Sequence, residues 1–284
     1  MESHMTEKSL IRQLLNDLRS DDKQKQQSAL HHLTQIKDEL NDSINLPEFF
    51  GALTQRDRHV RMFAVKMLGK IGDSDAVEPL TERLTDRSKD VRRAAAQALG
   101  QIGDNAALPA LIGSLLADDN SFVRWEAAKS LAIIDHLGAI PPLLEALEAD
   151  ENSYVRFAAA EALGQIADGI ALEGLENALL RDDNHYVRFA AAKALGQIAD
   201  PSSVPALLKA LNTHNTHIWH AAAEALWVID EDAMPYILNS LVSADMNLRR
   251  AALKAILWLS VEFDDEDAAV RDDVDWMGSW GWWN

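Results

Sequence analysis

One phrase returns along this chain at a nearly fixed interval. It reads VRRAAAQALGQIGD from Val91, VRFAAAEALGQIAD from Val155 and VRFAAAKALGQIAD from Val187, with looser copies from Val60, Val123, Ile218 and Leu248. Successive starts lie 31, 32, 32, 32, 31 and 30 residues apart. A period of this size belongs to one supersecondary unit stacked many times rather than to a single globular core.

A single period, Asp168 to Asp200, gives the unit. From about Ile170 to Leu180 the apolar positions Leu172, Leu175, Leu179 and Leu180 follow helical spacing. The stretch RDDNHY then breaks the pattern with Asp and Asn, which form caps and turns. A second helix is predicted from about Tyr186 to Ala199, with Val187, Ala191, Ala194, Leu195 and Ile198 as its apolar set. Each repeat is thus a helix A, a short turn and a helix B.

Three columns support that register. Pro47, Pro79, Pro109, Pro141, Pro205 and Pro235 fall in the first turn of helix A, where a missing N–H costs nothing. Gly69, Gly100, Gly164 and Gly196 fall inside helix B. Glycine there costs about 1 kcal/mol against Ala, so its return points to close approach of neighbouring helices. Asp86, Asp118, Asp150 and Asp182 each precede an arginine (Arg92, Arg124, Arg156, Arg188) by six residues, as expected of a ladder within or between repeats. The ends depart from the pattern as capping repeats do: Lys25 and Gln26 stand where Val-Arg belongs, and Trp227 and Leu257 replace the helix-B glycine.

These residues resemble the HEAT-like repeats of the phycobilisome-lyase (E/Z-type lyase) family, whose motif stands here as DRSKDVRRAAAQALGQIGD with DAVEPL before it. The likeness runs from about residue 10 to 260. It implies an all-α, right-handed α-solenoid of about eight stacked helix pairs, with helix B lining a concave groove that binds partners. Members include subunits of bilin lyases, which handle open-chain tetrapyrroles, and scaffolds that carry out no reaction. The HEAT-like deoxyhypusine hydroxylases bind two irons through His-Glu pairs, and no His-Glu dipeptide occurs in this chain.

The expected organisation is an expression remnant at 1–5, a solenoid over 6–261 and an acidic, Trp-rich tail over 262–284. The net charge is −18, of which the tail supplies −7 through eight acids and Arg271. An acidic surface repels a phosphate backbone, so nucleic acid is not expected as a partner. No apolar run approaches the roughly 18 residues that span a bilayer, and the N-terminus has no signal pattern. With no cysteine, the chain has no disulfide framework and no thiolate site. A cytoplasmic protein without membrane attachment is the expectation.

Variation inside the phrase marks the candidate site. The position after Val-Arg reads Met62, Arg93, Trp125, Phe157, Phe189, His220 and Arg250, and four residues on come Lys66, Gln97, Lys129, Glu161, Lys193, Glu224 and Lys254. Both rows share one helical stripe, and stacked helices sit about 10 Å apart. The stripe reads as three central rings with Arg towards both ends, beside alternating Lys and Glu. Phe122, Tyr154 and Tyr186 lie three residues before the rings, at the groove rim. Rings at such positions either form an exposed binding patch or pack between neighbouring helices. Val, Leu, Ile and Ala already supply the core, which favours binding. In the tail, Trp276, Trp280, Trp282 and Trp283 follow an acidic run. Three fates fit it: folding back on the groove or last repeat, docking to another protein, or disorder.

No catalytic constellation stands out. His214, His217 and His220 invite a metal reading, yet only His220 lies in a groove column. Each LGQIGD is a helix end and not a phosphate loop. Neither metal nor cofactor is called for. The expected function is a non-enzymatic scaffold that binds a protein, a peptide segment or its own tail. The alternative is a bilin lyase subunit or bilin-handling chaperone, in which the rings cradle a tetrapyrrole and Arg or Lys pair its propionates.

Overall fold

The computed structural model describes residues 13–35 (apart from 15, 19 and 21), 49–134 and 136–259. The proposed remnant at 1–5 and the tail at 262–284, with its four tryptophans, lie outside the described residues. Helix α1 (Lys23–Gln35) is followed by α2 (Arg58–Ile71), the B helix of the second unit. Six complete A–B pairs come next: α3 (Val77–Arg83) with α4 (Lys89–Ile102), α5 (Leu108–Ala117) with α6 (Ser121–Ile134), α7 (Ile140–Ala149) with α8 (Ser153–Ile166), α9 (Leu172–Arg181) with α10 (His185–Ile198), α11 (Val204–Ala210) with α12 (Thr216–Ile229), and α13 (Met234–Leu241) with α14 (Met246–Leu259). No strand occurs among the described residues. The architecture is an α-solenoid of stacked helix pairs.

Short polar side chains set the helix boundaries. Asp57, Asn152, Asn184 and Asn215 cap B helices by accepting the N–H two residues on. Asp73, Asp104, Asp168 and Asp200 do the same for the short 3-10 turns that lead into α3, α5, α9 and α11. At the B-helix C-termini the chain turns through the left-handed region, at Gly72 and Gly103 and then at Ala167 and Ala199.

The layer of B helices is held by small residues. From α2 to α12 successive B helices touch along their length, whereas successive A helices touch far less. A Cβ added to Gly164 would lie 2.8 Å from the Cα of Ala194, and one on Gly196 2.9 Å from the Cα of Ala225. The glycine column therefore marks where one helix backbone sits against the next. The stacking changes where Trp227 takes that column. Beyond it, α14 packs more on α11 than on α12. Leu253 and Leu257 are left exposed at that end.

The Asp–Arg column crosses the repeat boundary. Arg92, Arg124 and Arg156 each grip the aspartate of the following turn through two nitrogens: Nε meets one oxygen of Asp118, Asp150 and Asp182 at 2.7 Å, and Nη2 the other at 2.9 Å. Arg61 holds Asp86 in the same manner. Within its own repeat each arginine instead uses Nη1, which donates to the backbone carbonyl six residues earlier (Asp86, Asp118 and Asp150 for Arg92, Arg124 and Arg156). The same aspartates accept the N–H of Ser88, Asn120, Asn152 and Asn184, so one carboxylate shapes its turn and ties two repeats together. The ladder stops at Arg188: the next position in register holds His214, and among the described residues Arg188 bonds the carbonyls of Asp182 and Asp183 and no carboxylate.

Candidate functional site

The variable stripe lies on α2, α4, α6, α8, α10, α12 and α14, because the position after Val-Arg is the fifth residue of each B helix, at the start of its second turn. Its rings are less exposed than the sequence led one to expect. Trp125 is 8% exposed and belongs to the core, while Met62, Phe157 and Phe189 are half-buried against it. An open three-ring centre is thus corrected at Trp125, whose indole is large enough to fill the space between neighbouring helices. Arg93, His220 and Arg250 are exposed. Of the rim residues, Phe122 and Tyr154 are exposed and Tyr186 is half-buried.

The fifth-position row stays in solvent. Lys66, Gln97, Lys129, Glu161, Lys193, Glu224 and Lys254 are all exposed. One helical turn separates this row from the rings, so cations reach the ring faces: Lys129 Nζ lies 4.3 Å from the Trp125 centroid and Lys193 Nζ 5.7 Å from that of Phe189. Glu161 sits between these two lysines. Partial burial by the surrounding protein raises its carboxyl above the ordinary range, against the pull of Lys193 and Lys129. Lys254 also donates to the Leu211 carbonyl at 3.4 Å, which ties the last B helix to α11.

Two features were missed in the sequence. Glu126 follows Trp125 and is only 4% exposed. Its place in the repeat is otherwise Ala94, Ala158, Ala190, Ala221 and Ala251, with Phe63 at the N-terminal end. A lone acid in an alanine column was the available signal. Its Oε2 lies 3.4 Å from Arg93 Nε, so the buried carboxylate anchors an arginine of the stripe. Burial raises the Glu126 carboxyl despite Lys129 and Arg93 nearby. The second feature is an aromatic cluster. Trp219, which replaces the ladder arginine, meets Trp258 edge-on at 5.1 Å and His220 at 5.0 Å. His220 is therefore part of a ring cluster at the C-terminal end of the stripe rather than an isolated groove residue.

The arrangement offers a row of alternating charge beside half-buried rings, a surface suited to binding an extended segment. Among the described residues no group of three or more His, Asp or Glu could hold a metal ion, and His214, His217 and His220 form none. No described helix is long and apolar enough to cross a membrane.

A family model described as HEAT repeats matches residues 11–90, 77–164 and 172–256, and one described as PBS lyase HEAT-like repeat matches residues 155–181. No curated protein matches the sequence. Among solved structures, an engineered protein aligns with TM-score 0.53 at 24% identity, covering 93% of this chain and 81% of the other. The Escherichia coli protein YibA aligns with TM-score 0.52 at 23% identity, covering 90% and 92%. The complex of CpcE and CpcF of phycocyanin lyase from Nostoc sp. PCC7120 aligns with TM-score 0.48 at 23% identity, covering 88% and 93%.

Proposed function

The chain belongs to the HEAT-repeat family, and on that premise we propose that it is a non-enzymatic scaffold whose B-helix face binds an extended protein or peptide segment. The observation that carries the reading is the row Lys129, Glu161 and Lys193, exposed and alternating in sign beside Phe157 and Phe189. A stack in which one layer touches more closely than the other curves toward the closer layer, so the B helices would line the concave side. A segment lying across them would meet one charge per repeat, which sets register, while the two half-exposed rings supply apolar contact. Arg93, held from below by Glu126, would take an acidic group at one end.

Affinity capture with the full chain and with the Phe157→Ala/Phe189→Ala double variant tests this. A partner retained by the first and lost by the second, at unchanged helical circular dichroism, is the expected result. Equal retention by both would overturn the reading. The chain's own segment 262–284 is one candidate occupant, since it comes two residues after α14 and α14 leaves Leu253 and Leu257 exposed. Its deletion would then lower the melting temperature, and an unchanged value would exclude that occupant.

A second reading rests on the PBS lyase HEAT-like match over 155–181, which includes Phe157 and Glu161. Under it the rings would cradle an open-chain tetrapyrrole, with Lys or Arg on its propionates. Mixing with phycocyanobilin and desalting decides: retained pigment with a shifted visible spectrum supports a bilin-handling role, and free pigment removes it.

A further inference from the structure

A basic cleft opens in this acidic protein, away from the B-helix stripe. It has a volume of about 430 Å3 and lies between the turns before α2 and α4, lined by Arg56, Arg58, Arg61, Arg87, Ser88, Lys89 and Asp90. Five of the chain's 27 cations thus meet here, in a molecule whose net charge is −18.

The repeat pattern shows how unusual this is. The residue after the ladder aspartate is Asp119, Glu151 and Asp183 in the next three turns, and each of these carboxylates lies beside a ladder arginine (Arg92, Arg124 and Arg156). In the first of the four turns it is Arg87, so a carboxylate position has become a guanidinium. The two residues that follow are Ser88 and Lys89, where the later turns have Asn120-Ser121, Asn152-Ser153 and Asn184-His185. The preceding turn adds Arg56 and Arg58. Two of the five cations are answered: Arg61 by Asp86, and Arg58 by Asp90 at 3.3 Å. Arg87 donates to the Arg56 carbonyl at 2.6 Å, which brings its guanidinium toward the other cations. Among the described residues no carboxylate bridges Arg56, Arg87 or Lys89. The Ser88 side chain makes no capping bond to its helix.

We infer that this cleft binds a phosphate group, carried either by a small phosphorylated molecule or by a phosphorylated side chain of a partner. Gathering like charges is unfavourable until an anion joins them. A surplus of about three positive charges suits a phosphoryl dianion or diphosphate better than a single carboxylate, and guanidinium forks match phosphate oxygens in pairs. The Ser88 hydroxyl adds a neutral donor. The site is independent of the groove and would stand if the scaffold reading fell.

The test uses the full chain and the variant Arg87→Asp/Lys89→Ser, which restores the acid and serine of the next turn. Pyrophosphate is titrated at constant ionic strength, with binding followed by calorimetry and by melting temperature. The expected result is saturable binding that raises the melting temperature, weakened about tenfold or more in the variant through loss of two charge-assisted contacts. The variant by itself should melt no lower than the parent, because an acid at this position is what the next turn carries, where Asp119 lies beside Arg92. A phosphoserine peptide and its unphosphorylated form distinguish the sources: binding of the phosphopeptide alongside pyrophosphate assigns a partner's side chain, and binding of pyrophosphate alone assigns a small molecule. No saturable binding of either probe, or equal binding by parent and variant, would overturn the inference.

Discussion

Arg156 and Asp182 are 26 residues apart, yet they form a two-point ion pair, with Nε to Oδ2 at 2.7 Å and Nη2 to Oδ1 at 2.9 Å, and both are nearly buried. The pair joins the B helix of one repeat to the turn of the next. Removing one partner from such a pair leaves a desolvated charge, so Asp182→Ala should lower stability by about 3 kcal/mol. At Arg188 the partner position holds His214. His214→Asp should extend the ladder by one rung and raise stability by about 1–3 kcal/mol. Chemical denaturation of both variants checks the pair, and a neutral His214→Asp would show that the rung does not form.

Two glycines should answer in opposite directions to the same substitution. Gly164 sits against the backbone of α10, so Gly164→Ala should destabilise by about 1–3 kcal/mol through overpacking. A Cβ added to Gly113, inside α5, would meet nothing within 4 Å among the described residues beyond its own stretch of helix. Gly113→Ala should stabilise by about 1 kcal/mol from helix propensity. Thermal melts of the two variants separate packing from propensity.

Ala167 and Ala199 hold φ of 53° and 55° at helix C-termini, a region disfavoured for residues with a Cβ. Gly72 and Gly103 occupy the matching positions in earlier repeats. Ala167→Gly and Ala199→Gly should each raise stability by about 1 kcal/mol and leave the circular dichroism unchanged. A loss of stability would mean that the backbone there is not left-handed in solution.

Acid should affect two groups of carboxyls in opposite ways. Burial acts to raise Asp86, Asp118 and Asp182, but the guanidiniums of Arg61, Arg92 and Arg156 and the turn amides outweigh it and hold all three below their ordinary 3.8. A depressed folded value contributes stability above the unfolded value, and that contribution is lost as pH falls through the folded one. Glu126 runs the other way. Burial raises its carboxyl above the ordinary 4.5, against Lys129 and Arg93. Its contribution is complete below the unfolded value and is lost as pH rises through the folded one. Glu126→Gln should therefore stabilise the protein at neutral pH, with the gain shrinking toward about pH 4. Denaturation at both pH values tests the sign, and a loss at neutral pH would show that the Arg93 contact outweighs burial.

Much of the fold was legible in the sequence because a repeat states its own register. The period, the A–B pairs and the proline and glycine columns follow from positions that recur in Pro79, Pro109, Gly164 and Gly196. The ladder was legible as a column but not as a connection. Asp150 and Arg156 lie close in sequence, while Asp150 gives its carboxylate to Arg124 of the repeat before and only its carbonyl to Arg156. Depth was the other quantity the pattern could not supply. Helical spacing places Trp125 and Phe157 on one stripe, but the filling of the space beside a ring depends on the neighbouring helix. Glu126 and Arg87 were each visible as a break in a column, and a break takes on meaning only when the turn or helix opposite it is known.

On the proposed reading, partners bind across the B helices beside Phe157, Glu161, Phe189 and Lys193. Hydrogen–deuterium exchange of the captured complex against the free chain tests this contact. Partner-dependent protection should concentrate in α6, α8 and α10, and it should vanish together with the partner in the Phe157→Ala/Phe189→Ala variant. Protection confined to α5, α7 and α9 would put the partner on the A helices instead and rule out the B-helix groove.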